Sequence, residues 1–186
     1  MALNTIPLPF GLRDVKITPY TDLTRTVLAG SSIDLPNAQT FTWTETEDYE
    51  DLRGDDALQT SHGKGPVVTW DLESGGLSFE AWAAVAGGIV TTTGVTPNQI
   101  KTHRKSVLDV RPFFKVEGQA ISDSGGDVHG VVYACRATGD LKAEMKDGTF
   151  MVPAMSGKGF GSKLLSGPPV NTAYDWVQNE TAVSIP

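Results

Sequence analysis

Two tryptophan-bearing segments alternate strictly between apolar and polar residues, and this period of two favours β-strands over helices. In residues 40–44, Phe41 and Trp43 fall on one face and threonines fall on the other. In residues 67–73, Trp70 shares a face with a valine and a leucine. Aromatic and β-branched residues suit a pleated, half-buried surface. We therefore expect two strands of one sheet, whose apolar face meets a second sheet.

Most of the remaining chain also has strand character. Glycine-rich hairpin turns are expected at residues 123–127 and 146–148, because glycine adopts the positive φ that a tight reversal needs. Between such turns, β-branched and aromatic residues recur at strand spacing. The further strands are expected at residues 14–19, 25–28, 89–93, 107–111, 113–122, 128–137, 141–145 and 149–155.

One helix is expected at residues 78–86. Ser78 can cap it by accepting a hydrogen bond from a backbone amide of the first turn. Glu80 follows where the helix dipole favours a negative charge, and Gly87 can end the helix. The helix carries no lysine or arginine, so we expect it to pack on the sheets and not to read nucleic acid.

The length of 186 residues suits one domain with extended arms. Residues 13–156 are expected to form the β-sheet domain, including a long loop at residues 45–66. Residues 1–12 are interpreted as an N-terminal arm. Residues 157–186, which are rich in glycine and proline, are interpreted as a C-terminal strand or arm.

Composition argues against several functions. The formal net charge of −7 does not favour binding to nucleic-acid phosphates, which depends on lysine and arginine. Cys135 lies in an apolar run and is expected to be a buried, inert thiol. The sequence suggests neither a signal peptide nor an apolar run long enough to cross a bilayer, so synthesis in a cytoplasm is expected.

Two glycine-containing segments partly match a catalytic motif and a phosphate-binding motif. Residues 123–126 read Asp-Ser-Gly-Gly, as around the nucleophile of chymotrypsin-like proteases, and His62 and His103 lie upstream. The flanking residues differ from those of that family, and a hairpin turn explains the tetrapeptide. A serine hydrolase using Ser124 stays as an alternative. Residues 156–163 lack P-loop spacing, so a flexible loop is expected there.

An acidic segment within residues 45–66 is not explained by packing. It holds seven carboxylates, and Arg53 is the only counter-charge among them. Their spacing does not match a calcium loop, so a solvated loop or an interface loop is expected, with no metal and no cofactor. The carboxylates are Glu45, Glu47, Asp48, Glu50, Asp51, Asp55 and Asp56.

Residues 39–88 resemble the major tail proteins, or tail tube proteins, of long non-contractile-tailed bacteriophages (siphophages). The similarity lies in the order of the tryptophan-bearing strands, the acidic segment and the helix. Its motifs are Glu-Thr-Glu-Asp-Tyr at 45–49, Leu-Arg-Gly-Asp-Asp at 52–56, Gly-Lys-Gly-Pro at 63–66, Val-Thr-Trp-Asp-Leu-Glu-Ser-Gly-Gly at 68–76 and Asp-Val-Lys-Ile-Thr-Pro-Tyr at 14–20.

The resemblance implies a mainly β protein: a two-sheet β-sandwich or barrel with one short flanking helix and extended terminal arms. It implies hexameric rings that stack into a tail tube, the conduit for DNA ejection, assembled in the host cytoplasm. The partners would be the subunit itself and other tail proteins, such as tape measure and tail terminator proteins. DNA would pass through without specific binding, and no membrane, cofactor or catalytic residue is implied.

Tail tube proteins stack their rings partly through a long loop, and residues 45–66 hold the matching position. We expect the acidic segment with Arg53 to meet a basic stretch, Lys101, Arg104 and Lys105, across a boundary between subunits or rings. Each of the two stretches carries charges of mainly one sign, and neither has an evident partner of opposite charge nearby in the sequence. The alternatives are a monomeric module presenting Trp176 or Tyr174 to a carbohydrate or receptor, and a bacterial secretion-tube ring protein.

Overall fold

The computed structural model describes residues 6–186, whose regular structure is mainly antiparallel β-sheet with one helix, α1 (Phe79–Ala86). The expectation of a mainly β protein is confirmed. The strands are β1 (Pro9–Pro19), β2 (Ile33–Asp34), β3 (Ala38–Gly54), β4 (Ala57–Ser74), β5 (Ile89–Thr93), β6 (Ile100–Arg104), β7 (Phe114–Ser122), β8 (Asp127–Cys135), β9 (Leu141–Lys142), β10 (Ala154–Gly159) and β11 (Tyr174–Asn179).

Two larger sheets share one hydrophobic core. A five-stranded sheet has the order β11-β8-β7-β1-β2, and a four-stranded sheet has the order β3-β4-β10-β9. Trp70 of the second sheet is fully buried, and its ring meets Phe114 of the first edge-on, with centroids 5.4 Å apart. The core also takes in Val15, Ile17, Val68, Leu72, Val85, Val116, Val132 and Met155.

The helix and several strands lie where the sequence predicts them. Ser78 caps α1, and its hydroxyl accepts a hydrogen bond from the amide of Ala81 at 3.3 Å. Gly87 follows with a φ of 81°, a conformation that favours glycine. β5 matches its expected bounds, and β7 and β8 differ from theirs by one or two residues. Cys135 is buried at the end of β8, and burial raises the pKa of its thiol.

Four expected strands are absent or shortened. Residues 25–28 form a tight loop with one isolated bridge, Tyr20 to Leu28, because the side chain of Asp22 binds the loop amides. Residues 107–111 form no strand, and their apolar side chains are exposed. β9 has only two residues, and β10 begins near the end of its expected range. Apart from the Leu28 bridge, β9 and the start of β10, the apolar residues of these segments have no neighbouring strand to pair with.

The expected N-terminal arm is wrong from Pro9 onward, because β1 begins there and pairs with the end of β7. Pro9 lies opposite Ser122, and Phe10 lies opposite Ile121. A proline is tolerated at the first position of a strand, where its missing amide proton costs little. Of the remaining residues of the expected arm, residues 6–8 are described and belong to no strand, and residues 1–5 lie outside the described residues.

The expected C-terminal arm packs against the same body. β10 continues to Gly159, and β11 pairs with β8 at the edge of the five-stranded sheet. Residues 180–186 then reach the face of that sheet that points away from the core. Lys16 Nζ donates to the carbonyl of Ile185 at 2.5 Å, and the Ile185 side chain is buried. Hydrogen bonds and apolar burial thus hold residues 180–186 on the sheet, which the glycine- and proline-rich composition of this region did not indicate.

A buried polar cluster lies beneath this C-terminal segment. His129 Nδ1 is 2.9 Å from Glu117 Oε1, and Nε2 is 3.0 Å from Asp127 Oδ2. Burial disfavours the charged ring, but the hydrogen bonds to both carboxylates outweigh it and raise the pKa of His129. Burial likewise opposes ionisation of Glu117, yet Lys115 and His129 lower its pKa. Asp127 also accepts from the amide of Val183 at 2.9 Å. These charges are neutralised within the subunit.

Candidate assembly surface

The expected long loop at residues 45–66 is wrong, because these residues continue β3 and β4 as a two-stranded hairpin that we call the ribbon. Cross-strand pairing runs from Glu45 opposite Val68 to Gly54 opposite Ala57. β10 pairs with β4 only between Val68 and Glu73, so no third described strand borders the ribbon. Both of its edges therefore carry backbone groups without a strand partner.

A two-residue turn closes the ribbon between Gly54 and Ala57. Asp55 and Asp56 have φ values of 52° and 59°, the left-handed conformation that both central residues of a type I′ turn adopt. Aspartate tolerates this conformation better than most residues. The pair Asp-Asp between two polar stretches was the sequence signal for this hairpin. It is weaker than Asn-Gly, and a ribbon solvated on both faces shows no apolar alternation.

Side-chain contacts fix the pairing of the ribbon strands. Glu47 Oε1 accepts from the amide of Gly65 at 3.1 Å, and its Oε2 accepts from the Tyr49 hydroxyl at 3.0 Å. The Glu47 carboxylate raises the pKa of that hydroxyl. Lys64 Nζ, an overlooked counter-charge on the opposite strand, lies 2.7 Å from Glu50 Oε2. Part of the acidic segment is thus structural.

Three other carboxylates of the ribbon have no partner within the described residues and are free to bind a positive group of another molecule. Asp48, Asp55 and Asp56 make no side-chain hydrogen bond or ion pair with any residue of the described chain. Every ribbon residue is exposed apart from three half-buried glycines. Leu52 and Leu58 are among the exposed residues and add apolar surface to both strands. The ribbon therefore offers free negative charge, apolar side chains and open strand edges.

The basic stretch is not a loop and is not free of local partners. Lys101 and Arg104 lie on β6, and Lys105 follows it. Lys101 Nζ is 2.5 Å from Glu80 Oε1, which lowers the pKa of that carboxyl. Lys105 Nζ donates to the carbonyl of Asp109 at 2.9 Å. No ion pair joins these residues to the ribbon within the described subunit, and Arg104 alone of the three keeps a side chain without a described partner.

An apolar groove is lined by residues of both larger sheets. The rings of Trp43 and Trp176 are 4.7 Å apart, and Tyr174 donates its hydroxyl to Glu45 at 2.6 Å. Trp176 is 64 % exposed at the rim of the groove, which has a volume of about 290 Å³. The sequence analysis assigned Tyr174 and Trp176 to a partner surface. In the structure, both residues contact strand β3 of the same chain.

The serine and histidines considered for hydrolysis occupy different settings. Ser124 lies in the expected turn between β7 and β8, with its hydroxyl 2.8 Å from that of Ser122. His103 Nε2 is 2.9 Å from the carbonyl of Gly87, and His62 lies on the ribbon opposite Glu50. Residues 156–163 hold the second half of β10 in place of the expected loop, and no helix follows them.

Within residues 6–186, no group of three or more histidine, cysteine, aspartate or glutamate side chains could hold a metal ion. No helix in the same range is long and apolar enough to cross a membrane. The chain matches no protein-family model and no curated protein.

Proposed function

We propose that this chain is a structural virion protein, the tail tube subunit of a bacteriophage with a long non-contractile tail. The ribbon is the observation that carries this proposal. A two-stranded hairpin is marginally stable alone in water, and its open edges invite pairing with another chain. A seven-carboxylate ribbon that extends beyond its own sheet is therefore best explained as a contact to a neighbouring subunit.

Exposed apolar side chains on two loops support assembly. Phe150 and Met145 are 96 % and 87 % exposed on the loop between β9 and β10, and Leu108 is 86 % exposed between β6 and β7. Apolar residues scattered singly over a surface are ordinary, whereas groups of them mark interaction surfaces. Contacts between copies would remove these side chains from water.

The sequence resemblance supplies the form of the assembly: hexameric rings that stack into a tube. Head-to-tail contacts close into a ring when their rotation permits, and stacking then extends the rings into a fibre. The net charge of −7 suits a conduit through which DNA passes without specific binding. Tape measure and tail terminator proteins would be further partners, and the mature location would be the virion tail.

Electron microscopy of the purified full-length protein tests this proposal. We expect rings or tubes, and size-exclusion chromatography with light scattering should show assembly that grows with protein concentration. A protein that stays monomeric at every concentration and salt condition would contradict the proposal.

The groove beside Trp176 supports a second candidate, a monomeric module that binds a carbohydrate or a receptor. Exposed aromatic rings that line an apolar groove are a common form of ligand site. Titration with oligosaccharides, followed by tryptophan fluorescence of wild type and Trp176→Ala, tests it. Saturable quenching lost in the variant, together with a monomeric protein, would favour the module over the tube subunit.

A further inference from the structure

Two arginines hold a positive charge that the subunit does not neutralise. The guanidinium carbon of Arg25 lies 5.0 Å from the ring centroid of Phe113 and 5.7 Å from that of Phe160. The guanidinium of Arg136 lies 5.1 Å from the same Phe113 ring. Neither guanidinium makes a hydrogen bond or an ion pair within residues 6–186. Stacking positions both groups and leaves their N–H donors open.

Hydrogen bonds to the side chain of Asp22 fix the conformation of the loop that carries Arg25. Asp22 Oδ1 accepts from the amides of Arg25 and Thr26 at 2.7 and 3.2 Å. Asp22 Oδ2 accepts from the hydroxyls of Thr24 and Thr26 at 2.9 and 2.7 Å. Both oxygens of the Asp22 carboxylate are thus used by the loop and not by the guanidinium. These bonds keep Arg25 at a φ of 65°, a conformation that a non-glycine residue holds only where its surroundings require it.

The surface around the two arginines has further features of a docking site. Arg136 and Lys158 exchange backbone hydrogen bonds at 2.9 and 3.0 Å, which places an exposed lysine directly opposite Arg136. The Arg25 loop exposes Leu23, and its Thr26 carbonyl accepts from the amide of the exposed Leu165. We call Arg25, Arg136 and Lys158, with the rings of Phe113 and Phe160, the arginine cluster.

We propose that the arginine cluster of one subunit binds the ribbon tip, Asp55 and Asp56, of a second copy of this chain. This inference rests on the proposed function, and in it the arginine cluster replaces the basic stretch of β6, including Arg104, as the partner of the ribbon. Planar guanidinium groups bind carboxylates through two parallel hydrogen bonds, a geometry that an ammonium group lacks. The exposed leucines of the ribbon would meet the exposed leucines beside the cluster.

Two variants test this contact, and each reverses the charge of only one of its two surfaces. The first variant carries Arg25→Glu and Arg136→Glu, and the second carries Asp55→Arg and Asp56→Arg. We expect each to assemble at least about tenfold less than wild type, by the fraction that sediments, because like charges then face each other across the contact. A matched control, Arg104→Glu, reverses an unpartnered charge on β6 and should assemble like wild type. Thermal unfolding checks that the body of every variant is folded, and amide exchange at Leu52 checks that the ribbon is intact.

Mixing the two reversed variants gives the decisive result. Each variant keeps one natural surface that fits the other, and the two reversed surfaces also complement each other, so the mixture should regain assembly. Assembly of either variant alone at the wild-type level, or no recovery on mixing, would overturn the contact. If wild type itself never assembles, the proposed function fails with it. Duplex DNA binding that is lost in the arginine variant while assembly persists would assign the cluster to phosphates and refute the proposal.

Discussion

Two regions, the outer face of the five-stranded sheet and the ribbon, use their charged side chains differently. On the sheet, His129 lies between Glu117 and Asp127, and the C-terminal segment covers all three. On the ribbon, Asp48, Asp55 and Asp56 face water without a partner. The first arrangement holds the subunit together. The second contributes little to the subunit itself, and we propose that it acts between subunits.

The largest expected difference between the two regions is in stability. Asp127→Ala removes a buried carboxylate that accepts from Gln119, Asn179, His129 and the amide of Val183. We expect it to lower the free energy of unfolding by about 3 kcal/mol, measured by chemical denaturation, because its partners lose their acceptor while buried.

The matched ribbon variant is Asp48→Ala. It should change the same free energy by less than about 0.5 kcal/mol, as expected of an exposed side chain without partners. Equal losses in the two variants would show that the ribbon charge also stabilises the subunit, and the contrast between the regions would fail.

A smaller, pH-dependent difference is expected at His129. Its folded-state pKa is raised above the unfolded value, so its stabilising contribution is complete below the unfolded pKa, about 6.5, and is lost as pH rises through the folded pKa. His129→Gln should therefore destabilise the protein more at about pH 6 than at about pH 8.5. Denaturation curves of both proteins at both values measure this difference.

The matched ribbon histidine is His62, which is exposed. His62→Gln should leave the unfolding free energy unchanged at either pH. A His129→Gln effect that is the same at both values would contradict the buried charged contact.

The smallest expected effect on stability is at the ribbon turn. Asp55→Pro cannot adopt the positive φ of this turn, because the proline ring fixes φ near −65°. Amide exchange should then accelerate for ribbon residues such as Leu52, while the unfolding midpoint of the body stays unchanged. The control pair Asp55→Asn with Asp56→Gly suits the turn and should keep the ribbon protected. Equal exchange in the proline variant would show that the turn does not organise the ribbon.

The sequence predicted the parts of the fold that depend on local pattern. Trp70 and its alternating neighbours lie in the core, and Ser78 and Gly87 bound the helix. The sequence pattern failed to predict the elements whose position depends on contacts between residues that are far apart in the sequence. β1 begins at Pro9 because β7 offers it a partner, and Ile185 is buried in a segment whose carbonyl accepts from Lys16, which is distant in the sequence. Neither contact leaves a signal near its own position in the sequence.

The charge pattern of the sequence identified the acidic residues of the candidate site, but it predicted neither their secondary structure nor their spatial neighbours. The acidic residues were identified, but their strands were not, because a ribbon that is polar on both faces shows no alternation. Lys101 was selected as unpartnered, although Glu80 lies beside it in space. The open arginines, Arg25 and Arg136, are far apart in sequence and meet only over the ring of Phe113.

Removing the ribbon tests the central claim most directly. A variant in which residues 47–66 are replaced by Asn-Gly joins Thr46 to Val67, which are paired opposite each other, by a two-residue turn. Sedimentation velocity and electron microscopy should show rings or tubes for wild type and a folded monomer, with an unchanged unfolding midpoint, for the variant. Rings or tubes of the variant equal to those of wild type would contradict the account.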